Sequence, residues 1–274
     1  MKLSIVLSTQ PAQFQAATFK GDLETNLKHI AALGYDGVEL AIRDPKLVNL
    51  DDLERLTHAC GLSVPAIGTG QAWGEEGLSF TDPDPEVRRL AIQRIKSHIP
   101  GAARLGAVII IGLIRGIVKP GVDPAQAMTW LVESLKECSA AAFPHGIRLA
   151  LEPINRYETT LINTAAHGLE LIKRVGANNF GLLLDTFHMN IEEPDLEASV
   201  RACGNHIFHF HVADSNRGYP GAGHLDFGSI LKTLIDTGYL GWVSGEFLPV
   251  PDAGISALKA VTHLRQIQSS WRSN

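Results

Sequence analysis

Short apolar runs rich in β-branched residues recur about every 30 residues along this chain, the length a strand, a helix and two loops require. They are LSIVLS (3–8), GVELAI (37–42), VPAIGT (64–69), AVIIIGL (107–113), RLALEPI (148–154), FGLLLDT (180–186), IFHFHVA (207–213) and WVSGEF (242–247). Between them lie segments of helical periodicity at 22–33, 51–59, 84–104, 124–142, 164–175, 195–202, 228–237 and 253–271. In the longest of these, Pro100 and Gly101 should kink or interrupt the helix. Eight alternations without a break in composition predict an α/β chain folded as one (β/α)8 barrel over residues 1–274. An open doubly wound sheet is the alternative, but its opening GxGxxG loop is absent after the first run, and IGTG at 67–70 follows the third.

Four of the runs carry a metal-ligating side chain near their ends. Glu152 closes LALE, Asp185 closes GLLLD, His211 lies in FHFHVAD and Glu246 in WVSGEF, at intervals of 33, 26 and 35 residues. Strand alternation puts Ala150 with Glu152, Leu183 with Asp185, His209 with His211, and Ser244 with Glu246 on shared faces. If those faces point inward, the four donors meet at the C-terminal mouth, where active sites of such barrels sit. A lone buried acid could be a salt bridge, for Glu152 with Arg148 or Arg156. Three acids crowded together cannot all stay ionised without a cation, so the set predicts a divalent-ion site. His209, one layer deeper, is either a satisfied core histidine or a partner of the ligand.

Other residues fall on the loops over the same mouth. His188 comes three residues after Asp185, Glu158 follows the fifth run and Arg217 the seventh; each is a candidate substrate contact rather than idle surface charge. Trp73, among glycines after the third run, suits stacking on a sugar ring or anchoring the rim. Arg43 and Arg115 stand just beyond the second and fourth runs and are further candidate substrate contacts; with Arg217, the first choice, they are the candidates for holding a substrate carboxylate, which their planar forks match.

Composition removes several classes of function. Hydrophobic content of 45% and charged content of 19% are those of an ordinary globular domain. A net charge of −5 disfavours nucleic acid as a partner. Cys60, Cys138 and Cys203 are odd in number and far apart, as expected of free thiols in a reducing compartment. The opening MKLSIVLSTQ has the pattern of a first strand rather than a signal peptide, and no run approaches the roughly 18 apolar residues of a membrane span. The expected location is the cytoplasm, with no membrane partner.

The blocks LEPINRYETTLINTAA, LLLDTFHMNIEE, HFHVADSNRGYPGAGHLDF and SGEFLP resemble the fifth to eighth strand blocks of the xylose-isomerase-like TIM barrels, and within them the ketose 3-epimerases. The segments LSTQPAQFQAATFKGD, RDP, AIGTGQA and VIIIGLIRG are similar to a bacterial subgroup of tagatose 3-epimerase-like enzymes acting on 5-keto-L-gluconate, tagatose, sorbose or ribulose. The resemblance implies that Glu152, Asp185, His211 and Glu246 ligate one divalent ion, Mn²⁺ before Mg²⁺ or Co²⁺. It makes Glu152 and Glu246 the acid/base pair, and Glu158, His188 and Arg217 the holders of the substrate's O1–O2 end. The implied reaction inverts the carbon beside the ketone (C3) of free ketoses or keto-sugar acids. The small-molecule sugar is the expected partner, together with a second copy of the chain in a dimer or tetramer. An aldose–ketose or hydroxypyruvate-type isomerase on the same site is the alternative, and a non-catalytic sugar-binding protein a more distant one. A repair nuclease of this superfamily would need histidines at the third and fourth strand tips, which here read IGTG and IIGL.

Overall fold

Aspartate, asparagine or threonine precedes most of the helices, its side chain accepting a backbone N–H of the first turn, and this local chemistry sets where each helix begins. In a computed structural model of the chain, residues 1–11 and 13–271 are described. The order opens with β1 (Lys2–Ser8), α1 (Leu23–Ala32), β2 (Glu39–Ala41), α2 (Leu50–Ala59), β3 (Ala66–Gly68), α3 (Gln71–Glu76) and α4 (Pro85–Leu105). It continues with β4 (Val108–Ile111), α5 (Pro124–Ala142), β5 (Leu149–Leu151), α6 (Ala165–Val175), β6 (Phe180–Asp185), α7 (Thr186–Glu192) and α8 (Leu196–Cys203). It ends with β7 (Ile207–Val212), α9 (Phe227–Asp236), β8 (Trp242–Gly245) and α10 (Ala253–Ser270).

The eight strands pair in chain order, all parallel, and β8 closes onto β1. This is the expected (β/α)8 barrel. Alternation along each strand separates the outward apolar residues from the inward ones. Leu3, Ile5, Ile67, Ile109, Leu149 and Leu182 face the helices and belong to the large outer core. Ala66, Val108, Ile110, Ala150 and Leu183 form a separate small cluster, with Phe208 packed against it. That cluster fills the lower barrel interior, and the polar strand-tip residues continue the same faces above it.

One irregularity adjusts the upper layer. Leu182 pairs with Ile207, but Leu183 pairs with His209, so Phe208 is an extra residue in β7. Asp185 is thereby level with His211, and His211 with Ser244. Gly181 makes room for the bulge, since a Cβ there would meet the Phe208 ring at 2.7 Å. The Arg148 guanidinium lies 4.9 Å from the centre of that ring.

Two local expectations change. Helix α4 runs through Pro100 and Gly101 without interruption, because buried Ile95, His98 and Ile99 before the proline and Ala102 after it fasten both halves to the barrel. The segment around Trp73 and the one around His188 are not open loops but the short helices α3 and α7. The three cysteines are free. Among the described residues no helix is long and apolar enough to cross a membrane.

Candidate active site at the barrel mouth

The C-terminal ends of β5, β6, β7 and β8 bring Glu152, Asp185, His211 and Glu246 together, with one ligand atom from each within 4.8 Å of the others. Nδ1 of His211 is the hub. It stands 3.8 Å from Asp185 Oδ2, 3.8 Å from Glu246 Oε2 and 3.9 Å from Glu152 Oε1. These are too long for hydrogen bonds. Nδ1 and Glu152 Oε1 are both buried without a hydrogen-bond partner. Orphaned buried donors and acceptors are rare. Here they converge on one point, and the set of three carboxylates and one imidazole can hold a divalent metal ion.

The electrostatics show the same need. Burial, then repulsion from Glu246, raises the Glu152 carboxyl well above its ordinary range. Burial likewise pushes Glu246 up to about 7, with Asp185 adding to the rise. Asp185 is held low despite burial, by the nearby His211 and His188 imidazoles. A bound cation relieves the repulsion within the cluster.

On the other side of its ring, His211 donates Nε2–H to Glu39, 3.0 Å from each carboxylate oxygen. His209 Nε2 reaches the same carboxylate at 2.7 Å. Glu39 is buried, and the two imidazoles outweigh the effect of burial and hold it below the usual carboxylate range. Its role was not read from the sequence, although an acid in the apolar run GVELAI carried the same signal as Glu152: a buried charge needs a partner.

A cavity of about 320 Å³ opens above the cluster, within the roughly 300–1,000 Å³ of small-molecule sites. Glu158, His188, Arg217 and Trp73 all line it, with Phe14 and Leu113 among the apolar walls. Arg217 donates to Glu158 at 2.7 Å and lies 4.7 Å from the Phe187 ring centre. Asn155, also missed by sequence reasoning, donates to Glu158 at 3.0 Å and contacts His188 Nδ1 at 2.7 Å. Burial lowers the His188 ring to about 4, so it is neutral. Gln71 lines the cavity too; its amide N–H reaches Ser8 at 2.8 Å and its carbonyl oxygen is without a partner.

The loop carrying Arg217 folds around Asp214, whose carboxylate accepts backbone N–H groups from Ser215 and Gly221 at 2.8 Å and Leu225 at 3.1 Å. Gly223 packs so closely that a Cβ would lie 2.3 Å from Asp214 Oδ1. Arg217 itself takes a left-handed backbone, φ 60°.

The two other candidate arginines are placed elsewhere. Arg115 is fully buried, and its guanidinium donates to the carbonyls of Glu152 and Ile162 rather than facing the cavity. A tight turn over Leu113–Arg115 directs it inward. Arg43 pairs with Glu76 at 3.4 Å, bracing α3. Neither lines the cavity, and among the described residues Arg217 is the one arginine that does. The salt-bridge alternatives for Glu152 also fall away: Arg156 binds Glu192 at 2.8 Å, and Arg148 covers Phe208.

Comparison with known proteins agrees with this architecture. The family model for xylose isomerase-like TIM barrels matches residues 27–266. The D-psicose 3-epimerase of Ruminiclostridium cellulolyticum is 32% identical over 238 residues, spanning 82% of this chain and 78% of that protein. The L-ribulose 3-epimerase of Mesorhizobium japonicum is 32% identical over 229 residues, spanning 82% and 75%. The solved structure of D-psicose 3-epimerase with D-tagatose from Clostridium cellulolyticum H10 superposes with a TM-score of 0.84 at 26% identity, covering 97% of this chain and 99% of that one. With a closed eight-stranded barrel, a cluster able to hold a metal at its mouth and these relatives, the chain belongs to the xylose isomerase-like TIM barrel family and, within it, to the ketose 3-epimerases.

Proposed function

We propose that the protein is a metal-dependent ketose 3-epimerase. It inverts C3 of free ketoses such as tagatose, sorbose and ribulose, and of keto-sugar acids such as 5-keto-L-gluconate that present the same ketone end. The observation that carries this reading is the convergence of two glutamates, Glu152 and Glu246, with Asp185 on the unpartnered Nδ1 of His211. The oxygen-rich donor set suits Mn²⁺, with Mg²⁺ or Co²⁺ as substitutes.

When bound, the ion polarises the ketone and stabilises the negative charge that builds on its oxygen. The residues of the chain do the rest. One of the two glutamates removes the C3 proton from one face of the sugar, and the other returns a proton to the opposite face. Reversing their roles runs the reaction backwards. The two stand three strands apart around the ring, on β5 and β8, so they approach the substrate from different sides. The Arg217–Glu158 pair and the His188 ring bind and orient the O1–O2 end. The cavity walls at Trp73, Phe14 and Leu113 exclude water from the deprotonated intermediate.

The protein works as a single barrel domain in the cytoplasm and self-associates as a dimer or tetramer. The exposed Tyr157 and Val250, on the loops after β5 and β8, support that association.

The test is turnover of a panel of ketoses and keto-sugar acids by Mn²⁺-loaded enzyme in deuterated water. Deuterium at C3 of the product supports the proposal, whereas deuterium at C1 or C2 alone identifies an aldose–ketose isomerase. Glu152→Gln and Glu246→Gln should each slow exchange by about 10²–10⁴-fold, the usual contribution of a general acid or base. Near-normal exchange in either variant refutes the assignment.

A further inference from the structure

Glu39 is the fourth carboxylate to reach His211 in the barrel interior, after Glu152, Asp185 and Glu246, and it does so from the far side of the ring. It stands on β2, whereas His209 and His211 stand on β7, with β8 and β1 between. The intervening inward positions level with His211 are small, Ser244 pairing with His211 on one side and with Ser4 on the other, while Val6 stands beside Glu39 itself. Gly68, on the neighbouring strand, leaves open the space beside Glu39 Oε1, 3.9 Å from where a Cβ would sit. The carboxylate can therefore span the interior and meet both imidazoles.

A carboxylate only accepts hydrogen bonds, so both Nε2 atoms facing Glu39 carry their protons. In a neutral imidazole the remaining nitrogen then bears the lone pair. For His211 that nitrogen is Nδ1, which faces Glu152, Asp185 and Glu246 and has no partner of its own.

We propose that Glu39 is a positioning residue of the metal centre. It fixes His211 in the one tautomer and ring orientation that present Nδ1 to the ion, and His209 anchors Glu39 for that task. The inference rests on the metal reading above. The alternative, a second ion held by Glu39, His209 and His211, would need the Nε2 lone pairs that these two hydrogen bonds already occupy.

Glu39→Gln tests it. A glutamine offers one acceptor and one NH₂ donor where the two histidines need two acceptor oxygens. One imidazole must then lose its partner or take the wrong tautomer. Metal affinity is measured on metal-free protein by competition with a chelator for Mn²⁺. The expected result is a drop of about 10–100-fold, the usual effect of removing the outer partner of a ligating histidine. Thermal unfolding of the metal-free variant should stay close to that of the parent. Nitrogen-15 NMR of the Mg²⁺-loaded parent should show His211 protonated at Nε2 alone. Mn²⁺ affinity of Glu39→Gln within about twofold of the parent would overturn the proposal. So would a His211 protonated at Nδ1 in the loaded parent, a measurement that decides the matter even if the variant does not fold. Absence of Mn²⁺ binding by the parent overturns the metal centre itself and is distinguishable from both.

Discussion

The side-chain amide of Asn155 lies 2.7 Å from Nδ1 of His188, and it fixes what His188 can offer a substrate. The same NH₂ group donates to Glu158 at 3.0 Å, so it is the donor in both contacts, and Nδ1 must accept. Nε2 therefore carries the proton, and it points toward Glu152 Oε1, 3.6 Å away. Asn155→Asp replaces that donor with an acceptor and reverses the tautomer. Steady-state kinetics should show kcat/KM reduced by about 10-fold or more, the scale of one lost hydrogen bond to a charged or reacting group. Unchanged kinetics would show that the tautomer is irrelevant to turnover.

Asp185→Ala should release the ion. Asp185 contributes an oxygen facing His211 Nδ1 and also caps α7 by accepting the Phe187 N–H at 2.7 Å. Elemental analysis of the purified variant should find the site largely empty at metal concentrations that saturate the parent, with epimerisation undetectable. Addition of excess Mn²⁺ that restores full rate would contradict a ligand role.

Metal affinity should rise with pH. Glu246 sits near pH 7 without the ion because burial disfavours its charge, and His211 is held protonated by Glu39 and Glu246 despite burial. Ligation needs the carboxylate and a bare Nδ1, so binding expels protons. Below pH 7 the proton on Glu246 competes with the ion; above it, that competition fades. Calorimetry in buffers of different ionisation enthalpy should find about one more proton released at pH 6 than at pH 8. Equal release at both values would show that Glu246 is not a ligand.

Arg115→Met should weaken the protein and misplace Glu152 together. The buried guanidinium donates to the Glu152 and Ile162 carbonyls, and Ile162 holds a left-handed backbone, φ 55°, at that contact. Leaving those acceptors unsatisfied should cost about 1–3 kcal/mol in denaturant unfolding. kcat should fall because the backbone behind Glu152 has lost its stay. A selective rise in KM for keto-sugar acids, with stability unchanged, would instead restore Arg115 as a carboxylate contact.

The strands, and the four donors at their ends, were legible because both rest on local signals: a period of two residues, a repeat of about thirty, and costly charges in apolar runs. What escaped depends on direction rather than position. Glu39 lies within its run instead of closing it, so a search for strand ends passes over it. Arg115 is just beyond a strand, but the turn at Leu113–Arg115 rotates it away from the mouth, and nothing in IIIGLIRG announces that rotation. Helices α3 and α7 span six and seven residues, too short for a helical period to show. Asn155 is one polar loop residue among several, distinguished by a partner 33 positions away.

The extra residue in β7 behaves like a shift of reading frame. Above Phe208 every side chain of the strand has changed sides relative to an unbulged β6–β7 ladder. The same residues paired without the bulge, in register with Leu182 and Ile207, would set Phe210 beside Asp185 and turn both histidines toward the helices. Transplanting this mouth onto another barrel therefore requires residues 206–211 and the accommodating Gly181 to move as one cassette; carrying the four donors alone would put the imidazole on the wrong side of the wall.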